Sequence, residues 1–105
     1  MAQWDVFPNP AVSSRDSIPY LVVLQSDLLD QLPTRLVAPL SRSDVAAAVL
    51  PPRMAPAFQV RGERLVLKAH EAGIVPARAL RQPVLNLREE SHRLIDALDA
   101  VISGV

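Results

Sequence analysis

Proline is the residue that most constrains this chain. Ten prolines stand against three glycines in 105 residues, and a proline removes a backbone donor and clashes with the preceding turn of any helix it enters. Long helices are therefore confined to few places, and the intervals between prolines read mainly as short strands. "AQWDVF" alternates Trp4 and Val6 with Gln3 and Asp5 ahead of Pro8, the period of a first strand. "NPAVSSRDS" collects turn formers and predicts a loop. "YLVVLQS" follows as a second strand, and its unbroken apolar run from Tyr20 to Leu24 predicts burial on both faces. "DLLDQLP" interrupts, and "TRLVAPL" gives a third strand whose Pro39 is expected at an edge or a bulge, since it cannot donate to a ladder.

The middle of the chain is less regular. "SRSDVAAAVLPPRMAP" predicts a short helix over Asp44 to Leu50, capped by Ser43 or Asp44 and stopped by Pro51. Beyond it, Phe58 to Val60 and Leu65 to Leu67 flank a polar turn containing Gly62, which is the pattern of a hairpin. "HEAGIVPARAL" then returns the chain through Gly73 and Pro76, and Val84 to Leu87 lead into a final helix. For that helix, Asn86 and Glu89 predict a capping box, and Leu87, Leu94, Ile95, Leu98, Val101, Ile102 and Val105 recur at helical spacing. The expectation is one α+β domain over residues 1–105: a mainly antiparallel, partly barrel-like sheet with one C-terminal helix packed on it.

Composition removes several function classes. Eleven basic and eleven acidic residues give no net charge, so the broad pull on phosphates of a stand-alone nucleic-acid binder is absent. Without cysteine there are no disulfides and no thiolate metal sites. No run approaches the roughly 18 apolar residues of a membrane span. "MAQWDVFPNP" lacks a basic segment followed by an apolar one, so no secretory signal is expected and the cytoplasm is the default location. No metal and no cofactor are called for.

One stretch goes further. "LQSDLLDQLPTRLVAPL" closely resembles the signature of the CcdB toxin family: a strand ending in Gln-Ser-Asp, two aliphatics, an Asp, a turn, an Arg, and an aliphatic-Pro-Leu strand. Gln25, Ser26, Asp27, Leu28, Leu29, Asp30, Arg35, Val37, Pro39 and Leu40 fall in register. The likeness continues through "RGERLVLK", through Val75 and Pro76, and into the final helix. It implies an SH3-like partial barrel of about five strands with a small extra sheet and one C-terminal helix. It further implies a homodimer formed through the region of that helix, and neutralisation by the disordered tail of a CcdA-like antitoxin. The implied target is the A subunit of DNA gyrase, whose cleaved complex with DNA such toxins trap. DNA is then touched only indirectly, through the antitoxin complex that represses the operon. No substrate is turned over, so the resemblance implies an inhibitor rather than an enzyme, acting by population shift.

The family's gyrase surface carries over onto Gln3, Trp4 and Phe7 of the first strand, onto Ser26 and Leu28 after the second, and onto Asp99, Ile102, Ser103, Gly104 and Val105 at the helix end. The final residues are thus expected to be a working surface. Two positions depart from the family: Asp99 stands where an Asn is common, and Ser103 where a Trp inserts into gyrase and stacks on an arginine. An aromatic anchor of that kind contributes about 2 to 4 kcal/mol, so serine predicts a grip weaker by roughly 30- to 1000-fold.

Each of these residues also has a plainer reading. Trp4, the single Trp, reads first as a core or interface aromatic, and Asp27 and Asp30 as turn and capping groups rather than a catalytic pair. His70 beside Glu71 reads as a surface pair, His92 as solvated, and the aliphatic stripe of the last helix as core or dimer contact. Two alternative functions remain open at this point: a non-toxic CcdB homologue that keeps antitoxin binding and regulation, and a MazF-like endoribonuclease using Arg35, His70 and Glu71. The zero net charge and the few aromatics weigh against the second.

Overall fold

The computed structural model describes residues 1–104. Seven strands, β1 (Asp5–Pro8), β2 (Tyr20–Val23), β3 (Thr34–Ser41), β4 (Ala57–Val60), β5 (Glu63–Leu67), β6 (Gly73–Pro76) and β7 (Leu85–Asn86), join in one antiparallel sheet. Its order is β4-β5-β3-β2-β1-β7, with β6 also paired to β3. The sheet rolls into a nearly closed barrel carrying the C-terminal helix. Helix α1 (Val45–Val49) is a short excursion, and α2 (Ser91–Ser103) is the long one. The expected α+β partial barrel is therefore present. The strands expected to form a small separate sheet instead share the one hydrogen-bonded network.

The eight-residue strand β3 makes this sharing necessary. One side pairs with β2 along Val37 to Leu40; the other pairs first with β6, from Thr34 to Val37, and then with β5, at Leu40 and Ser41. Pro39 lies in an interior strand, not at an edge, but in the gap where the outer neighbour changes. A residue's N–H and C=O point to the same side of a strand. The Pro39 carbonyl accepts from the Lys68 N–H at 2.9 Å on the β5 side, so its missing donor faces the break between β6 and β5, where no ladder bond is lost.

The unbroken run in β2 reflects two cores. Val22 packs with Trp4, Val6, Leu40, Phe58, Leu65, Leu67 and Leu94 beneath α2, while Leu21 and Val23 pack with Phe7, Val37 and Leu80 on the opposite face. Both faces of β2 are covered, as the run predicted. The β4–β5 hairpin turns through Arg61 and Gly62, both at positive φ (52° and 80°), the geometry of a two-residue turn matched to strand twist. Trp4 also has a positive φ, 74°, so β1 begins only at Asp5, although the Trp4 and Val6 side chains share the main core.

Helix α2 begins later than the Asn86–Glu89 pattern predicts. Asn86 Oδ1 accepts from the Arg88 N–H at 2.7 Å and its amide reaches the Gln3 carbonyl and Asp5, so it closes a turn and ties β7 to β1. A 3-10 turn, Arg88–Glu90, follows before the helix starts. The inner face of α2 is Leu94, Ala97 and Ala100, with Leu98 and Val101 half-buried; Ile95 and Ile102 point to solvent. Small alanines let the helix lie close to the sheet, and the large aliphatics are divided between inside and outside. The expected helix over Asp44 to Leu50 is α1, shortened by a residue at each end, with Ser43 Oγ accepting from the Val45 N–H.

Candidate functional site

The family-like surface begins at a turn held from three directions. The Gln3 N–H donates to Asp27 Oδ1 at 2.7 Å, Gln3 Nε2 donates to the Leu24 carbonyl at 2.9 Å, and the Gln3 carbonyl accepts from Asn86. These bonds bind the N-terminal turn to the β2–β3 loop, 24 residues away in the chain. Ser26 Oγ accepts from the Leu28 N–H at 3.1 Å and starts the 3-10 turn Asp27–Leu29. That turn holds the Leu28 side chain almost wholly in water, 93 % exposed.

Arg35 fixes the loop from below. It is 7 % exposed, and its guanidinium donates to the carbonyls of Leu32 (2.6 Å), Thr34 (2.8 Å) and Asp30 (3.0 Å), to Asp30 Oδ1 (3.2 Å) and, through Nε, to the Met1 sulfur (3.1 Å). A planar five-donor fork suits this work, and a point charge does not. Asp27 and Asp30 are thus each committed to a structural partner. Asp27 reaches Gln3 rather than only its own turn, which the local reading of the sequence did not anticipate.

The second cluster is the end of α2. Asp99, Ile102 and Ser103 line a shallow cavity of about 410 Å3 with Arg53, from the 3-10 turn Pro52–Met54. Arg53 pairs with Asp96 at 2.6 Å. Ile102 is 83 % exposed. Ser103 Oγ donates to the Asp99 carbonyl at 2.6 Å, folding back onto its own helix. Gly104, at φ 73°, closes the helix with its N–H on the Ala100 carbonyl at 2.8 Å, a conformation that favours glycine. Val105 lies outside the described residues. No hydrogen bond joins the two clusters among the described residues.

Along this frame, the family model for the CcdB protein matches residues 3–104. The chain belongs to the CcdB family. No curated protein gives a significant match to it.

The structure sorts the residues carried over from the CcdB resemblance. Gln3, Ser26 and Leu28 come together at the N-terminal turn, and Asp99, Ile102, Ser103 and Gly104 at the helix end. Trp4 and Phe7 are buried, Trp4 at 6 % exposure in the main core and Phe7 in the smaller one, and offer a partner no side-chain surface. Sequence reasoning passed over Arg53, whose proline-rich surroundings gave no sign that it would meet α2. Arg35 was legible as part of the CcdB motif, but its role as a buried clamp was not. That clamp also counts against the endoribonuclease alternative, since every face of its guanidinium is occupied. His70 Nε2 sits 3.4 Å from Glu71 Oε2 on the surface, the plain pair expected. No helix among the described residues is long and apolar enough to cross a membrane.

Proposed function

We propose that the protein is a toxin of the CcdB type that inhibits the A subunit of DNA gyrase by protein binding in the cytoplasm. As a homodimer it is neutralised by a CcdA-like antitoxin, which supplies DNA contact for operon repression. The observation that carries the reading is the family match over residues 3–104. Supporting it, Leu28 and Ile102, two aliphatic side chains at the family's contact positions, stand in solvent, where a large apolar side chain gains most from a partner. Gln3, Ser26 and Leu28 form the rigid half of the gyrase surface, and Asp99, Ile102, Ser103, Gly104 and Val105 the other half. Trp4 and Phe7 act from beneath, by fixing the turn that presents Gln3.

A specific observation favours a second reading, the non-toxic homologue that retains antitoxin binding. The hydroxyl of Ser103 is engaged with its own helix, so position 103 offers neither the aromatic anchor nor a free hydroxyl proton. Side-by-side assays separate the readings: gyrase-dependent cleavage of supercoiled DNA, RNA cleavage, and calorimetry with the antitoxin encoded alongside. Cleavage that requires gyrase supports the toxin. Antitoxin binding with neither activity supports the second reading, and RNA cleavage without gyrase overturns both.

A further inference from the structure

One cavity shares no lining residue with the proposed gyrase surface. It is an open groove of about 850 Å3 between the end of β1 and the 3-10 turn Ala77–Ala79, lined by Pro8, Pro10, Arg15, Arg78, Leu80 and Arg81 among others, and none of its lining residues is acidic. In a chain with no net charge, three arginines and no carboxylate around one groove are a local segregation of charge. Among the described residues, the guanidinium groups of Arg78 and Arg81 make no hydrogen bond and no ion pair, and both side chains are exposed. Arg15 donates only through Nε, to the Asn9 carbonyl, leaving its terminal nitrogens available.

We propose that this groove is a docking site for an acidic segment of a partner protein, held by bidentate arginine–carboxylate pairs. Pro8 and Pro10 have no N–H to offer and β1 is already paired with both β2 and β7, so recognition falls to the guanidinium forks. The groove is open along its length, so an extended segment can lie across it rather than be enclosed. Proline, alanine and leucine in the walls leave room for apolar residues between the carboxylates. Nucleic acid fits less well: the groove has no aromatic residue on which a base stacks, and three arginines on a neutral protein hold few phosphates. The site shares no residue with the gyrase surface, so the outcome of a gyrase assay leaves it untouched.

The test is fluorescence anisotropy with a labelled peptide alternating glutamate and alanine, its glutamine counterpart, and a labelled single-stranded oligonucleotide, each titrated with the full chain. The expected result is binding of the glutamate peptide alone, weakened by added salt and reduced roughly tenfold or more by Arg78→Glu and again by Arg81→Glu. Both arginines are exposed, and circular dichroism checks that the variants stay folded; Arg15→Lys, which keeps the charge but loses the fork, gives a milder loss. Absence of binding, binding indifferent to both charge reversals, or preference for the oligonucleotide overturns the proposal.

Discussion

Trp4 joins two features that pull in opposite directions. Its φ of 74° is costly for a bulky residue, about 1 to 3 kcal/mol, yet its indole fills the main core and its backbone is held by Val23 and Leu87 at 2.8 and 3.0 Å. Trp4→Ala is expected to destabilise by about 3 to 5 kcal/mol in denaturant unfolding. Trp4→Gly, although smaller still, should lose about 1 kcal/mol less, because only glycine takes this conformation freely; the opposite order would contradict the strain. The plain reading of Trp4 as a core residue was legible from its type and its alternation with Val6, whereas its backbone was not, since nothing local marks a tryptophan for the left-handed region. Ser103 is the converse case, legible only by comparison with the family. In gyrase-dependent DNA cleavage, Ser103→Trp is expected to raise potency by roughly 30- to 1000-fold, and a wild type already potent and indifferent to the change would place the grip elsewhere.

Strands and turns with local causes were readable ahead of the structure: the apolar run of β2, the hairpin around Gly62, and the stop at Pro51. What escaped reading depends on contacts distant in sequence. The start of α2 moved because Asn86 bonds to Gln3 and Asp5, more than eighty residues earlier, in place of a capping box. The short β6 was missed because four residues ending in proline become a strand only when β3 offers a free side. The β2–β3 loop shows the same dependence, since Arg35 binds the carbonyls of Asp30, Leu32 and Thr34 at the base of the loop that carries Leu28. Arg35→Lys should therefore destabilise by about 2 to 3 kcal/mol, as lysine keeps the charge but leaves buried acceptors unpaired. Hydrogen exchange should quicken selectively over residues 27–32; a variant as stable as the parent, with unchanged exchange there, would contradict the clamp.

The two halves of the proposed gyrase surface, the N-terminal turn with Leu28 and the end of α2 with Ile102, stand on separate elements. Ile95 and Ile102 are one heptad apart on α2, which puts two exposed aliphatic side chains on one face, with Asp99 between them. A homodimer through the region of α2 is expected from the family reading, with Ile102 left free for gyrase. Sedimentation at micromolar concentration is expected to show a species of twice the 11.5 kDa chain mass, and a single-chain species throughout would exclude the dimer. The family, its barrel and its helix could be read from one motif together with the pattern of apolar runs; which carried-over residues face outward could not, because burial is decided by two cores on opposite faces of β2. The most direct test of the gyrase reading is titration calorimetry of the purified protein with the gyrase A subunit, alongside Leu28→Glu at unchanged melting temperature. The account predicts measurable but weak binding by the wild type, strengthened by Ser103→Trp and abolished by Leu28→Glu; no binding by any form, or binding that Leu28→Glu leaves intact, would contradict it.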